Sequence, residues 1–268
     1  MTLAPGIHHD IPMSDYLRLP AVGASSLWTL KTECPAVARY RADHPDEGTA
    51  ATRLGSAMHT LTLEPEAFAA RYAVRPADGP RANSNAYKEW AAEHAAAGRE
   101  IVSADDWAMM QAMRAAMPKS ARRLLSVGKP EVTAICRHDE TGMMLKCRPD
   151  WMREGIVVNL KTTADVRPQK WAAQAASLGY HASAAMTIDI LEELTGERWE
   201  YHFLVMAKEP PFISYIASLS SADIELGRQE YHAALMTWAA CVKSSDWPAY
   251  GDIVNVQLPV WAYPRETV

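Results

Sequence analysis

The sequence has only four cysteines, and none of them is spaced for a metal site or an iron–sulfur cluster. They are Cys34, Cys136, Cys147 and Cys241, with no CxxC pair and no Cys/His cluster of zinc-finger spacing. A free cysteine usually behaves as a small apolar residue. We therefore expect four reduced, mostly buried thiols and no structural zinc.

Long apolar runs are absent as well. No run approaches the roughly 18 residues that a membrane-spanning helix needs. The N-terminal sequence MTLAPGIHHDIPMSDY also lacks the basic-then-apolar pattern of a secretory signal. Both absences favour a cytoplasmic protein that does not contact a membrane.

The chain lacks the excess of basic residues that proteins coating nucleic acid carry. It has 27 lysines and arginines against 32 aspartates and glutamates, a formal net charge of −5. This balance argues against a general nucleic-acid coat protein. A site that collects carboxylates around Mg²⁺ is itself acidic, so the net charge does not exclude a metal-dependent nuclease. With 268 residues, 49% of them apolar, the chain can bury a large core.

The first half of the chain has the pattern of helices. Serines precede several apolar-periodic segments, where a hydroxyl can cap the first backbone N–H groups. The predicted helices in this half cover residues 25–41, 50–63, 84–97 and 103–117, with a loop over residues 75–85. A long helix over residues 168–194 and a final helix over residues 221–244 are predicted further on.

Strand-like segments dominate after residue 131. Asp139-Glu140-Thr141-Gly142 is typical of a hairpin turn, and Gly155 turns the chain into an apolar run. The predicted strands cover residues 132–137, 143–151, 156–161, 199–207 and 212–219. This order predicts an α/β fold, a mixed sheet with helices on both faces, preceded by an N-terminal helical elaboration. We expect one domain over residues 1–268, mainly helical over 1–128, with a sheet core over 129–245 and a tail over 246–268.

Polar side chains end two neighbouring predicted strands. Asp150 closes the run Arg148-Pro149-Asp150, and Asn159 stands nine residues after it, followed by Leu160 and Lys161. Positions i and i+2 of a strand face the same side, so Asn159 and Lys161 point together. If the two strands form a hairpin, Asp150 lies beside them. A carboxylate, a carboxamide and an ammonium would then meet at one end of a sheet.

Phosphodiester hydrolysis uses such a group of side chains. Carboxylates hold Mg²⁺ through oxygen, the ion polarises the phosphate and its bound water, and a lysine orients that water and steadies the developing charge. Short apolar strands that end in Asp or Lys are also common in proteins that catalyse nothing. The pattern on its own therefore leaves a structural alternative open.

The run CRPDW, then VNLKTTADV, then a helix near Trp171 resembles the RecE-type (exonuclease VIII-like) branch of the PD-(D/E)XK nucleases. GSAMHTLTLEPEAF, at residues 55–68, resembles the helical histidine motif of that branch, and Glu131 occupies its acidic position ahead of the hairpin. The segments 227–232 and 245–248 resemble its closing helix and end. Because these pieces occur in the right order from about residue 10 to 263, the resemblance implies the restriction-endonuclease-like fold for nearly the whole chain.

The resemblance also implies site residues. The implied ligands of a Mg²⁺ or Mn²⁺ ion are His59, Asp150 and Asn159. The implied catalytic residues are Lys161, Asp150, Glu131 and Asn159, with Lys161 acting on the attacking water and Glu131 supporting the ion or its water. The implied DNA contacts are Arg148, Thr162, Thr163, Ser183 and Thr187. Without the resemblance, a histidine on a partly apolar helix such as residues 54–63 is more often structural.

The chain departs from this pattern in two places. Asn159 stands where the branch has an acid, so it supplies no negative charge to an ion. Ser183 and Thr187 stand where the branch has a Gln and a Tyr that contact DNA. Either the acid was changed deliberately to hold a substrate uncut, or the natural protein has diverged. The second departure favours divergence, because a deliberate change would leave the Gln and the Tyr in place.

Three functions follow as alternatives. The resemblance implies a Mg²⁺-dependent DNA exonuclease, 5′ to 3′ on double-stranded ends, that acts in recombination as a homo-oligomer with a single-strand annealing protein. The first rival is a catalytically weak or inactive nuclease-fold module that binds DNA or protein. The second rival is another PD-(D/E)XK enzyme, either a single-strand nuclease or an endonuclease.

Overall fold

The computed structural model describes residues 3–44, 50–79, 81, 83–259 and 262, and only the backbone of residues 50–52. Part of the predicted tail, at residues 260, 261 and 263–268, lies outside the described residues. Within the described part the helices are α1 (Met13–Arg18), α2 (Ala24–Thr32), α3 (Pro35–Asp43), α4 (Ala50–Leu63), α5 (Phe68–Arg71), α6 (Asn85–Ala96), α7 (Ala104–Ala115), α8 (Lys119–Leu124), α9 (Pro168–Ser177), α10 (Tyr180–Thr195) and α11 (Ser221–Ser244).

The strands of the described residues form three sheets. They are β1 (Gly6–His8), β2 (Val22–Gly23), β3 (Tyr72–Val74), β4 (Glu100–Val102), β5 (Lys129–Pro130), β6 (Thr133–Arg137), β7 (Met144–Cys147), β8 (Trp151–Arg153), β9 (Ile156–Thr163), β10 (Glu200–Ala207) and β11 (Ser214–Ser218). A five-stranded sheet has the order β11-β10-β9-β8-β5, a four-stranded sheet has the order β1-β6-β7-β2, and β3 pairs with β4. The predicted α/β fold with mixed sheets is confirmed.

Local signals account for many element boundaries. The Ser84 and Ser103 hydroxyls accept the backbone N–H groups of Tyr87 and Asp106, and so cap α6 and α7 as predicted. Ser220 caps α11 in a capping box with Asp223, and this helix covers the predicted residues 221–244. The predicted hairpin between β6 and β7 is present, with their antiparallel register joining Arg137 to Met144.

Two predicted long helices are each broken in two, so these predictions were wrong. The predicted helix over 25–41 stops at Thr32 and restarts at Pro35, because proline has no N–H to continue the helical hydrogen bonds but fits the first helical position. Its predicted serine cap is also wrong, since the cap residue is Gly23 and makes no side-chain bond. The predicted helix over 168–194 is interrupted at Gly179, which has φ +69° and lies against the Trp28 ring.

The predicted strand over 143–151 is also two strands, and they belong to different sheets. β7 pairs with β6 in the four-stranded sheet, whereas β8 pairs antiparallel with β9 in the five-stranded sheet. Pro149 lies between them and has no backbone N–H to offer a ladder. The N-terminal part is not purely helical either, because β1 and β2 extend the four-stranded sheet at its two edges. Helix α8 was not predicted.

The five-stranded sheet separates two apolar cores. One side of β9, with Val158 and Leu160, packs into a core built with α4 and α7. The other side, with Val157, joins a core that contains α2, α10 and α11. Helix α10 contacts both the four-stranded sheet and β10, which explains why most of its side chains are buried. Among the described helices, none combines the length and the apolar character needed to cross a bilayer.

Candidate metal centre

Three side chains from distant parts of the chain meet at the end of the five-stranded sheet. They are His59 on α4, Glu131 just after β5 and Asp150 just before β8, and one potential ligand atom from each lies within 4.8 Å of the other two. All three side chains are largely buried, with 25%, 22% and 12% of their surface exposed. We call this set the metal cluster.

Asp150 has its position because the chain reverses at β8 and β9. The register pairs Trp151 with Val158, which places Asp150 opposite Asn159. The backbone N–H of Leu160 donates to Asp150 Oδ2 over 2.7 Å, and that oxygen lies 3.6 Å from His59 Nδ1. One carboxylate oxygen is therefore held at the sheet end and faces the imidazole.

The hydrogen bonds of His59 settle its tautomer. Its Nε2 lies 3.0 Å from the carbonyl oxygen of Leu160, which can only accept, so Nε2 carries the proton. In the neutral imidazole, Nδ1 then presents a lone pair toward Asp150. A metal-binding histidine commonly donates its other ring N–H to a carbonyl in this way.

Glu131 is held in an uncommon backbone conformation. Its φ is +52°, and its N–H donates to the Asp150 carbonyl oxygen over 3.1 Å. Its side chain accepts from Arg148 Nε over 2.7 Å. Burial raises the pKa of the Glu131 carboxyl, the Asp150 charge raises it further, and Arg148 opposes both. The carboxyl therefore holds a proton more readily than an exposed glutamate does.

The remaining predicted catalytic residues lie on β9. Asn159 Oδ1 accepts the backbone N–H of Asp150 over 3.3 Å, so the carboxamide lies beside the metal cluster. Lys161 shares its side of the strand, and its Nζ lies 5.3 Å from the centre of the Tyr180 ring. Among the described residues, Lys161 forms no ion pair with a carboxylate.

The predicted DNA contacts occupy several environments. Arg148 is largely buried, and besides Glu131 it donates to the Ile11 carbonyl oxygen over 2.7 Å. The Thr163 hydroxyl is buried and lies 2.9 Å from Gln174 Oε1, while Thr162 is on the side of β9 that carries Leu160. Ser183 and Thr187 line a cavity next to Asn159, and the Thr187 hydroxyl donates to the Ser183 carbonyl oxygen.

The donor set of the metal cluster fits a divalent cation. Mg²⁺ prefers carboxylate oxygens, Mn²⁺ accepts the same donors, and a neutral imidazole nitrogen is a common ligand of divalent ions. The three potential ligand atoms lie within 4.8 Å of one another, so His59, Glu131 and Asp150 would hold one divalent ion between them.

Sequence reasoning missed two groups near the site. The ring of Tyr180 lies over Lys161, and burial and the Asp150 charge raise the pKa of its hydroxyl. Lys146 is the second group, and its Nζ donates to the carbonyl oxygens of Tyr16, Leu17 and Leu19. A lysine in an otherwise apolar strand was the available signal for the second group.

A family model covers most of the chain. Residues 24–257 match the PDDEXK-like domain of unknown function (DUF3799). The chain belongs to this family. The PDDEXK-like description agrees with the mixed α/β architecture and with a sheet end that carries Asp150 and Lys161, although Asn159 stands between them in place of an acid.

A solved structure with a TM-score above 0.5 shares the fold at low sequence identity, and two further structures match with lower scores. A crystal structure from Eubacterium rectale, described as "Putative exonuclease", has a TM-score of 0.65 and 13% identity over 95% of this chain and 98% of that one. A phage-related exonuclease from Haemophilus somnus has a TM-score of 0.32 at 12% identity, covering 84% and 96%. An alkaline exonuclease from Laribacter hongkongensis has a TM-score of 0.30 at 15% identity, covering 73% and 93%. Comparison with curated protein sequences gives no match.

Proposed function

We propose that this protein is a metal-dependent deoxyribonuclease that removes nucleotides from double-stranded DNA ends. The observation that carries the proposal is the metal cluster at the sheet end of a PDDEXK-like fold. Lys161 is on the same side of β9 as Asn159, whose carboxamide bonds to Asp150. The Eubacterium rectale structure, which matches almost all of this chain and is described as "Putative exonuclease", supports the same class of activity.

Each residue of the site has a role in this proposal. His59, Glu131 and Asp150 hold Mg²⁺ or Mn²⁺, which when bound polarises a phosphate and its water. Lys161 orients the attacking water and steadies the charge that develops on the phosphate. Arg148 keeps the Glu131 carboxylate turned toward the cluster through their ion pair. Ser183 and Thr187, which line the cavity beside Asn159, would flank the path of the DNA strand. Thr163 is buried and Thr162 is on the other side of β9, so these two threonines would support the site from behind.

The biological setting follows the resemblance seen in the sequence. The proposal includes 5′ to 3′ polarity, a role in DNA recombination, a homo-oligomeric assembly and cooperation with a single-strand annealing protein. The burial of Arg148 limits the DNA contact predicted for it, because its Nε and Nη1 already bond to Glu131 and Ile11. Positioning Glu131 is therefore its first role, and any phosphate contact must use its remaining N–H groups.

Asn159 supports a second candidate function. An amide in place of an acid lowers the charge offered to an ion, and with it the metal affinity and the activation of water. The rival is therefore a nuclease-fold module that binds DNA and cuts it weakly or not at all. This rival keeps the metal cluster but assigns it to DNA binding.

The test compares linear duplex, single-stranded and covalently closed circular DNA with Mg²⁺ or Mn²⁺. We expect nucleotides to be released from linear duplex, and we expect activity to fall by about 100-fold or more in His59→Ala and Asp150→Asn. His138→Ala is the matched control, since His138 bonds to Thr141 within its own hairpin turn and touches no cluster residue.

The outcomes separate the alternatives. Cleavage of closed circles would show an endonuclease, and cleavage of single strands alone would show a single-strand nuclease. DNA binding without cleavage under any ion would favour the inactive module. Equal activity of His59→Ala, Asp150→Asn and the unmodified chain would show that the metal cluster has no role in the reaction.

A further inference from the structure

A cavity of about 840 Å³ opens beside the metal cluster, on the side of β9 that carries Asn159. Its walls come from α3, β7, β9, β10, α10, α11 and the segment from Tyr16 to Ser26. Its volume lies within the range of roughly 300–1,000 Å³ in which proteins bind small molecules. His59, Glu131 and Asp150 do not line it, so it is a neighbouring compartment.

Two wall residues connect this cavity directly to the metal cluster. Arg148 lines the cavity and donates to Glu131 over 2.7 Å. Asn159 lines it and accepts the Asp150 N–H over 3.3 Å. A ligand in the cavity that contacts Arg148 or Asn159 is therefore connected through that side chain to Glu131 or to Asp150.

The charge of the cavity walls differs from that of the whole chain. The chain has a net charge of −5, yet one carboxylate, Asp43, and five cationic side chains line the cavity. The cationic side chains are Arg18, Arg39, Arg41, Lys146 and Arg148. Three of them form ion pairs, Arg39 with Asp43, Arg41 with Glu33 and Arg148 with Glu131. The positive charge left at the wall comes from Arg18, which forms no ion pair within the described residues, and from Lys146, which donates only to neutral carbonyl oxygens there. This charge, in a concave surface of an acidic protein, favours an anionic ligand.

The orientation of Asn159 adds hydrogen-bond donors to this wall. A backbone N–H can only donate, so the Asn159 atom that faces Asp150 N is the oxygen. The planar carboxamide then turns Nδ2 away from Asp150. Within the described part of the chain no acceptor bonds to Nδ2, which leaves its two N–H groups for a ligand.

We propose that the cavity binds a phosphate of the nucleic-acid strand next to the metal cluster, and that the Asn159 carboxamide donates to this phosphate instead of serving as a metal ligand. This inference rests on the proposed nuclease function. Compared with an acid at this position, Asn159 would thus lose a negative charge but gain a hydrogen bond to the substrate. A carboxylate at this position would also accept the Asp150 N–H, but its second oxygen would repel the phosphate.

The test separates binding of the ion from binding of the strand. Mn²⁺ affinity is measured by calorimetry without DNA, and the affinity for a 5′-phosphorylated hexathymidylate is measured by fluorescence anisotropy in Ca²⁺. Both are measured for the full chain, Asn159→Asp and Asn159→Ala, with thermal melting as the check on folding. Asn159→Asp keeps the size of the side chain and the bond to Asp150, whereas Asn159→Ala removes the donors without adding charge.

We expect Asn159→Ala to bind the oligonucleotide roughly tenfold more weakly, the cost of one hydrogen bond to a charged group, with unchanged Mn²⁺ affinity. Asn159→Asp should bind it more weakly still, while its Mn²⁺ affinity stays equal or rises. Improved oligonucleotide binding and cleavage by Asn159→Asp would overturn the inference and make Asn159 an impaired metal ligand.

The controls distinguish this inference from the proposed function. If the unmodified chain binds Mn²⁺ and the oligonucleotide but both Asn159 variants bind the oligonucleotide equally well, the inference alone fails. If the unmodified chain binds neither, the inference and the proposed nuclease function fail together.

Discussion

At the residue scale, the metal cluster depends on Glu131, which combines a left-handed backbone conformation with a raised side-chain pKa. A residue with a Cβ in the left-handed region costs about 1 kcal/mol or more, and the surrounding bonds to Asp150 and Arg148 must offset that cost. The conformation turns the chain so that the Glu131 carboxylate approaches Asp150. Strain and a raised pKa therefore coincide at one residue of the candidate site, as they often do at functional sites.

Glu131→Gln tests this carboxylate through the pH dependence of metal binding. A protonated carboxyl does not ligate, so the Mn²⁺ affinity of the unmodified chain should fall as pH decreases through the raised pKa of Glu131, at higher pH than for an ordinary glutamate. In Glu131→Gln we expect an affinity about tenfold lower at neutral pH and a weaker pH dependence. Calorimetric titrations across the acidic range measure both. Identical pH profiles for the two proteins would exclude Glu131 as a ligand.

At the element scale, the close approach of two helices positions the cavity wall. A Cβ on Gly227 of α11 would lie 2.4 Å from the carbonyl oxygen of His181 on α10, so only glycine permits this crossing. Glu230, one turn further along α11, accepts a hydrogen bond from His181 and forms an ion pair with Lys31 of α2. These contacts hold together three helices that form one side of the site.

Gly227→Ala and Gly55→Ala form a matched pair. Gly227→Ala should lower the free energy of unfolding by roughly 1–3 kcal/mol, because the nearest atoms are backbone and the helices must separate. Gly55 is also inside a helix, but nothing lies within 4 Å of its added Cβ, so Gly55→Ala should raise stability by about 0.5–1 kcal/mol. Urea denaturation of both variants checks the opposite signs. Equal changes would mean that α10 and α11 do not approach so closely.

Lys146 connects β7 to the end of α1. Its buried ammonium donates to three carbonyl oxygens there, so Lys146→Met should lower stability by roughly 1–3 kcal/mol at neutral pH. Burial lowers the pKa of Lys146 to about 8. Between that pH and the ordinary lysine value of about 10.4, the unfolded chain keeps a proton that the folded chain has lost. Lys146 therefore makes stability rise with pH in this window.

The measurement for Lys146 is the difference in unfolding free energy between the unmodified chain and Lys146→Met at several pH values. Taking the difference cancels the contributions of other groups that titrate in both proteins. We expect the difference to grow as pH increases above 8. Parallel curves would contradict a depressed Lys146 pKa.

At the scale of the whole molecule, the five-stranded sheet divides the interior into two cores. The metal cluster lies where they meet, since His59 comes from a helix of one core and Asn159 faces the other. Damage to either core should therefore disturb the site. All four cysteines are buried and unpaired, so no disulfide contributes to this arrangement.

The thiols offer a measurement of how tightly the whole molecule is packed. Burial raises the pKa of Cys136 to about 11 and of Cys147 to about 12, and the thiolate is the reactive form. We expect a thiol-specific disulfide reagent to modify none of the four rapidly in the folded protein and all four in denaturant. Rapid reaction of even one thiol in the folded state would reveal local opening of a core.

The sequence by itself determined features that depend on near neighbours. Serine caps at residues 84 and 103, the hairpin turn before β7, and α4 and α11 follow from local hydrogen bonding and apolar periodicity. The buried, unpaired cysteines were also predictable, because the absence of paired spacing and the apolar character of the thiol are sequence properties. The family resemblance correctly indicated the PDDEXK-like fold, whereas the RecE-type branch stays a prediction.

Only the tertiary structure decided which strands share a sheet and how the site residues meet. β7 and β8 each pair locally, with β6 and β9, but these two hairpins enter different sheets because β7 also pairs with β2 and β9 also pairs with β10, both distant in the chain. The break at Gly179 likewise depends on Trp28, far away in the chain. The tautomer of His59 and the direction of the Asn159 carboxamide each follow from one backbone group brought close by folding. Residue identities fixed which donors and acceptors are available, and folding fixed the partner each one faces.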